Sequence, residues 1–444
     1  MSTDVLNLRA LNRALLARQM LLEPSPLPEG PGRAGAVIAV VEHLAGLQAQ
    51  APFPPYYGLW SRLAGFQPGD LADLLVGRQV VRIALMRSTI HLVSARDCLT
   101  FRPLIQPVLD RSLPAIFGKQ FAGLDAGALA EAGRALVDAE PRTFGELGGL
   151  LSPDWPGHPP NALAQGVRVL VPLIQPVLER SLSAIFGKQL AGLDTAVLAE
   201  AGRALVDAEP RTFGELGGLL SPDWPGHPPN ALAQGVRTLV PLVQIPPRAV
   251  WGAAGQSRHT SAEAWLGSAL DPSPSLEALV ARYLAAFGPA TVADVQAWSG
   301  LTRLGEVVER LRPGLRTFHD ERGKELFDLP DAPRPAPGTP APLRLIAEFD
   351  NLVLSHADRS RVISPDHRQR LNTRNGIFPG TVLVDGFVAG MWRITRARGA
   401  AALTVELFAE VPAADRDAVT AEGERLLQFA APEEDHEIRF APVA

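Results

Sequence analysis

The chain is short of the groups that would mark a metal or redox enzyme. Among its 444 residues there is one cysteine, Cys98. A lone thiol closes no intramolecular disulfide, builds no thiolate-rich metal site and fits a reducing compartment. Nine histidines are scattered without an HxxxH pair, which argues against a zinc site. Neither a metal nor a cofactor is therefore expected. Also missing is any apolar run of the roughly 18 residues that a membrane span needs. The opening segment MSTDVLNLRALNRALLARQMLL has an early Asp and no unbroken apolar block, unlike a signal peptide. Together these absences predict a cytoplasmic protein with no membrane partner.

What is present is an ordinary globular composition, 46% hydrophobic and 20% charged, in a chain too long for one core. About three modules are expected. The net charge of −5 does not itself suggest a nucleic-acid binder, but it is unevenly placed. Between Asp358 and Arg398 eight arginines face three aspartates, whereas Leu403 to Ile438 holds ten acidic residues against Arg416 and Arg425. A basic segment beside an acidic tail can bind phosphate locally while the whole chain stays dispersed. A solvated arginine-rich surface is the plainer reading.

Residues 103–171 and 172–240 align without a gap, and 62 of 69 positions are identical. Solenoid repeats are shorter and more divergent, so the pair reads as a recent tandem duplication. Each copy is patterned for three helices. DAGALAEAGRALVDAE follows Asp125 as N-cap, PRTFGELGGLL carries a Thr143/Glu146 capping box, and a third helix starts at Asn161 after the SPDWPGHPP turn. A tight link between the last two describes a helix-turn-helix. PLVQIPPRAVWG after the second copy is a candidate wing, which the first copy lacks.

Helices are expected at 5–22, 34–49 and 67–77, with a hairpin over 78–94 around Met86-Arg87, another winged-helix plan. The plan recurs at about 274–329, with a hairpin around Arg322-Gly323. A Pro-rich linker follows, then strand-like segments with a turn at Asp385-Gly386 and a closing helix near 412–430. At the end of the second expected helix, GLQAQAPFPP (46–55) places Gln48 and Gln50 before three prolines. On a helix, residues two apart face different ways; in extended chain they share a face. Proline disfavours helix in the preceding residue, so the chain should leave the helix by Ala51 and let two carboxamides converge. Capping a helix end is the alternative use of the pair.

With GLQAQAPFPPYYGLWSRL, RIALMRSTIHLVSARD, PPRAVWG…RHT, FGPATVADVQAWSGL and EFDNLVLSHADRSRVI, the chain resembles the AlkZ/YcaQ-like family of winged-helix DNA glycosylases. The resemblance covers nearly the whole chain apart from one repeat copy, and Gln48-Ala49-Gln50 matches the Gln–apolar–Gln form of the family motif. It implies catalytic roles for Gln48 and Gln50 on N-alkylated purines, interstrand crosslinks included, in double-stranded DNA. Arg87, His91, His356, Arg359, Arg361 and Arg374 are the candidate DNA-binding residues. For His91 a satisfied, half-buried side chain is the plainer reading, and for HADRSRVI a structural Asp358–Arg pair at a turn is the alternative to phosphate binding.

The expected architecture is α+β: tandem winged-helix modules followed by a C-terminal β-barrel-like domain, acting as a monomer. The modules are an N-terminal winged helix at 1–102, the wingless copy at 103–171, winged helices at 172–262 and 263–330, a linker at 331–342 and the β-rich domain at 343–444. Two other functions stay open: a non-catalytic winged-helix DNA-binding regulator, and a homologue inactivated by the duplication. The candidate recognition helices NALAQGVRVLV and TRLGEVVERLRP carry few net positive charges, which disfavours the regulator.

Overall fold

The computed structural model describes residues 5–110, 132, 149–154, 193–371, 378–397 and 399–441. The chain forms two compact units. One comprises Met1–Val108, Val206–Thr212 and Pro241–Ala444; the other comprises Leu109–Leu205 and Phe213–Val240.

The chain opens with β1 (Val5–Leu6), α1 (Leu8–Arg18), β2 (Ser25–Pro26) and α2 (Arg33–His43). Next come β3 (Leu47–Gln48), α3 (Pro54–Trp60), β4 (Leu63–Ala64) and α4 (Pro68–Val76). The hairpin β5 (Val80–Ala84) and β6 (Ile90–Ser94) runs into α5 (Ala95–Asp110). After α6 (Thr195–Ala208), α7 (Phe213–Leu220) and α8 (Pro229–Leu239) lie β7 (Leu242–Ile245), β8 (Arg258–Ser261) and α9 (Ala262–Leu266). A second helical group holds α10 (Leu276–Phe287), α11 (Val292–Ser299) and α12 (Gly305–Leu311), closed by the hairpin β9 (Arg316–Asp320) and β10 (Glu325–Asp328). The last part holds β11 (Arg344–Ile346), α13 (Asn351–Leu354), α14 (Pro365–Arg370) and β12 (Gly380–Val384). It ends with β13 (Phe387–Ala397), β14 (Ala400–Leu407), α15 (Ala413–Ala430) and β15 (Asp435–Phe440).

Local chemistry explains many of these boundaries. Thr291 and Asp294 form a reciprocal capping box that starts α11, and Gly300 ends it in the left-handed region at φ 79°. Ser275 caps α10, whose Leu279, Val280, Tyr283, Leu284 and Phe287 fall at helical spacing and are all buried. Asp385 and Gly386 both take positive φ, as a two-residue hairpin turn demands, and join β12 to β13. In the second repeat copy the three expected helices form as α6, α7 and α8, with Asp194 accepting from the Ala196 and Val197 amides. The helices expected of the first copy lie almost entirely outside the described residues.

Two findings differ from expectation. The segment after the second copy is a strand, but β7 pairs with β5 as well as with β8, giving one sheet of order β3-β6-β5-β7-β8. The expected wing is thus part of a sheet shared with the N-terminal hairpin. The C-terminal region is not a barrel. Its strands run β11-β12-β13-β14-β15 with the parallel β14–β15 pair at one end, and the outer strands do not pair with each other among the described residues. A closed sheet would need that pairing; here α15 covers an open sheet, with Val419, Leu426 and Leu427 in its apolar core.

Buried ion pairs tie distant segments of the larger unit together. Arg18 of α1 and Asp328 of β10 meet at 2.8 Å with neither side chain exposed. Arg62 grips Asp350 through two bonds of 2.8 and 2.9 Å. Removing one member of such a pair leaves an uncompensated buried charge.

Candidate active site

The glutamine pair sits where α2 gives way to extended chain. α2 ends at His43, short of the Ala49 end that its pattern predicts, because Ala45 and Gly46 turn left-handed at φ 52° and 88°. The Gly46 amide reaches back to the Val41 carbonyl at 2.9 Å, a helix-ending bond. A Cβ on Gly46 would stand 2.6 Å from Val93 Cγ1 and 3.0 Å from the Leu92 carbonyl, so glycine is needed there. Beyond it the chain alternates as a strand does. Leu47 and Ala49 both belong to one apolar cluster, and Gln48 lies between them in sequence, opposite His91 on β6.

Gln48 and Gln50 share extended backbone but not surroundings. Gln48 is 8% exposed and lines a cavity with Gly46, Pro54, Arg62, Glu348, Asp350 and Asn351 among others. The cavity measures about 10 Å³, space for roughly one water molecule. Gln50 is exposed, is not among the lining residues, and accepts from the Ile90 amide at 3.1 Å. The expected convergence of both carboxamides on one cavity is therefore corrected: Gln48 lines it, while Gln50 bonds the backbone of β6.

Two arginines fix this strand. Arg82 donates to the Ala49 carbonyl at 2.6 Å, from between the glutamines in sequence, and to Gln244 at 2.6 Å. Arg87 sits on the β5–β6 turn at φ 56° and donates to Gln48 Oε1 at 2.8 Å, Asn351 Oδ1 at 3.1 Å and the Trp298 carbonyl at 2.7 Å. Burial pulls both guanidinium groups down to about 10, and Arg359 nearby adds to this for Arg87. A donor-only guanidinium must face the carboxamide oxygen, so Gln48 has its Nε2 turned elsewhere. That nitrogen has no hydrogen-bond partner among the described residues. Arg87 was expected on DNA; its bonds instead make it the clamp on Gln48.

The histidines and most of the basic segment are also placed inside. His91 is completely buried, donates from Nδ1 to the Thr89 carbonyl, and leaves Nε2 without a partner. Burial, helped by Arg87, lowers it to about 3. His356 is buried between Ser355 and the Phe287 carbonyl, and burial with Arg361 nearby takes it to about 3. Arg361 is 5% exposed and donates to the Pro289 carbonyl at 2.8 Å. Neutral, internally bonded histidines and a buried arginine are not positioned for phosphate, so the DNA-binding expectation for His91, His356 and Arg361 is corrected. Asp358 pairs with Arg322, not with an arginine of its own turn.

Arg359 is different. It is half-buried, its guanidinium has no hydrogen bond or ion pair among the described residues, and its pKa is lowered by burial and by Arg368. With Arg368, Ser360, Pro365 and Gln369 it lines a surface groove of about 330 Å³. Arg374 lies outside the described residues. Sequence reading missed Asn351, the Arg62–Asp350 pair and Glu348. All four were within quoted motif blocks, but no local periodicity marks them. Trp298 is fully buried with its ring 5.1 Å from that of Tyr283. Among the described residues there is no metal-holding cluster and no helix long and apolar enough to cross a membrane.

A family model described as DNA glycosylase AlkZ-like matches residues 41–184 and 164–429. The two matches overlap across the junction of the repeats, which fits a module present twice. An interstrand DNA cross-link repair glycosylase of Streptomyces sahachiroi is 27% identical over 141 residues, which are 29% of this chain and 36% of that protein. The sequence match thus spans about a third of that relative. The solved structure of Streptomyces sahachiroi DNA glycosylase AlkZ superposes with a TM-score of 0.64 at 18% identity, covering 98% of this chain and 100% of the other. Over the extent of the family match, the chain belongs to the AlkZ-like DNA glycosylase family.

Proposed function

We propose that the protein is a DNA glycosylase that hydrolyses the N-glycosidic bond of N-alkylated purines, cationic at N7, and unhooks interstrand crosslinks between such bases. The observation that carries this reading is Gln48, fixed by Arg87 at the wall of a cavity the size of one water. A base with a cationic ring leaves as a neutral molecule, so its departure needs no strong acid. What remains is to hold water against C1′ as positive charge develops on the sugar, a task of positioning and electrostatics. The free Nε2 of Gln48 is suited to holding that water.

Gln50 would lie towards the DNA, with its amide nitrogen available to the lesion strand. Arg359, Arg368 and Arg374 would hold phosphates, and the β5–β6 and β9–β10 hairpins would serve as wings of tandem winged-helix modules on double-stranded DNA. The protein would act as a cytoplasmic monomer. Base release from a duplex with one N7-methylguanine tests the reading: the chain should release the base, and Gln48→Ala should lose release while keeping its affinity for the duplex. No release by the unaltered chain would overturn it.

A further inference from the structure

We propose that Glu348 is the general base of this reaction, taking the proton from the water that Gln48 holds as its oxygen attacks C1′. The inference rests on the glycosylase reading and names the proton acceptor that reading lacks. A glutamine cannot take a proton near neutral pH, and the Gln48 carbonyl already accepts from Arg87.

The cavity wall offers few other acceptors. Asn351 Oδ1 also accepts from Arg87. Both oxygens of Asp350 accept from Arg62, and one accepts from the Leu352 amide besides. Glu348 is the remaining carboxylate on the wall, and it has neither a hydrogen bond nor an ion pair among the described residues. It follows the short strand β11, one residue before Phe349, which sits in the left-handed region at φ 57°. Such a conformation in a bulky residue marks a place where the surroundings dictate the backbone. Here it lies between the two carboxylates of the wall.

The charges around Glu348 are few. Arg62 and Asp350 neutralise each other, and Arg87 is held by Gln48 and Asn351. Tyr57 of α3 carries a phenol pushed up to about 12 by burial, with Arg396, itself paired with Glu434, opposing that rise and the charge of Glu348 adding to it. Burial raises the Glu348 carboxyl above its ordinary value. A raised carboxyl is a stronger base, and a proton acceptor works best when its pKa approaches the working pH. The step balances. One O–H bond of water breaks and its proton goes to the Glu348 carboxylate as the oxygen bonds C1′. The C1′–N9 bond breaks with its electron pair going to the purine, whose ring charge it cancels. Glu348 then returns the proton to solvent.

The test is single-turnover release from an N7-methylguanine duplex by the full chain, Gln48→Ala and Glu348→Gln, each from about pH 4.5 to about pH 8. The unaltered chain should gain rate as pH rises through the raised carboxyl. Glu348→Gln should be slower by about 10²–10⁴-fold and lose that rise, with duplex affinity changed less than about threefold. A purely structural role would move stability and leave the pH profile in place. If Glu348→Gln keeps both rate and profile while Gln48→Ala is dead, the function stands and the inference falls. If the unaltered chain releases nothing, the function and the inference fall together. Should Glu348→Gln not fold, Glu348→Ala with and without formate carries the test. Recovery in formate supports the role, and equal low rates overturn it.

Discussion

Arg87 and Gln48 are joined by a bond of 2.8 Å in which the guanidinium donates to the carboxamide oxygen. The same guanidinium holds Asn351 and the Trp298 carbonyl, so one side chain connects β3, the β5–β6 turn, α11 and α13. A buried acceptor left unpaired costs about 1–3 kcal/mol. Arg87→Ala is expected to lower unfolding free energy by about 2–3 kcal/mol. It should also slow base release by about 10–100-fold with duplex affinity nearly unchanged. Denaturant titration and single-turnover kinetics check both. A variant that keeps its rate but loses affinity would make Arg87 a phosphate contact.

Arg359 is the arginine of the basic segment best suited to DNA, since it is half-buried, unpaired among the described residues and shares a groove with Arg368. Arg359→Ala should weaken binding to lesion-bearing and undamaged duplex alike, because phosphate carries no base information. The slope of log affinity against log salt should shrink by about 1. Fluorescence anisotropy over a salt series measures this; a loss confined to lesion DNA would move Arg359 to the lesion itself.

The buried imidazoles set a pH dependence. His91 and His356 are held near 3, below the ordinary histidine value, by burial. The unfolded chain therefore takes up these protons first as pH falls. Stability is complete above about pH 6.5 and is lost on acidification towards about 3, at up to roughly 1.4 kcal/mol per pH unit for each histidine. Thermal melts from about pH 7 to about pH 5 should fall accordingly, and imidazole NMR shifts should stay neutral throughout. An imidazolium signal from either residue in the folded protein above about pH 5 would contradict the burial argument.

Removing residues 103–171 joins Arg102 to Pro172. The incoming PLIQPVLERS repeats the PLIQPVLDRS that follows Arg102, so α5 would continue with the same apolar face. The shortened chain is expected to keep its stability and its base release. A chain that unfolds, or loses an activity the full chain has, would show that the first copy is needed.

Features written in a few adjacent residues were legible. The Asp385-Gly386 turn and the three helices of the second repeat form where local chemistry puts them. The two-residue alternation that separates Gln48 from its apolar neighbours was legible too, although the helix ends earlier because Ala45 and Gly46 turn left-handed. Arg361, His356 and Arg87 were read as surface cations because residue type does not reveal burial. Their partners Pro289, Phe287 and Trp298 are 69 or more residues away in sequence. Barrel closure was misread for a related reason: strand patterns indicate which face is buried, not whether the two outer strands meet.

The most direct measurement is single-turnover release of N7-methylguanine from duplex DNA by the full chain and by Gln48→Ala. Release by the unaltered chain, with a loss of at least about 10²-fold in the variant and duplex binding intact, is the expected result. Equal release by both proteins, or none by the unaltered chain, would contradict the role given to Gln48.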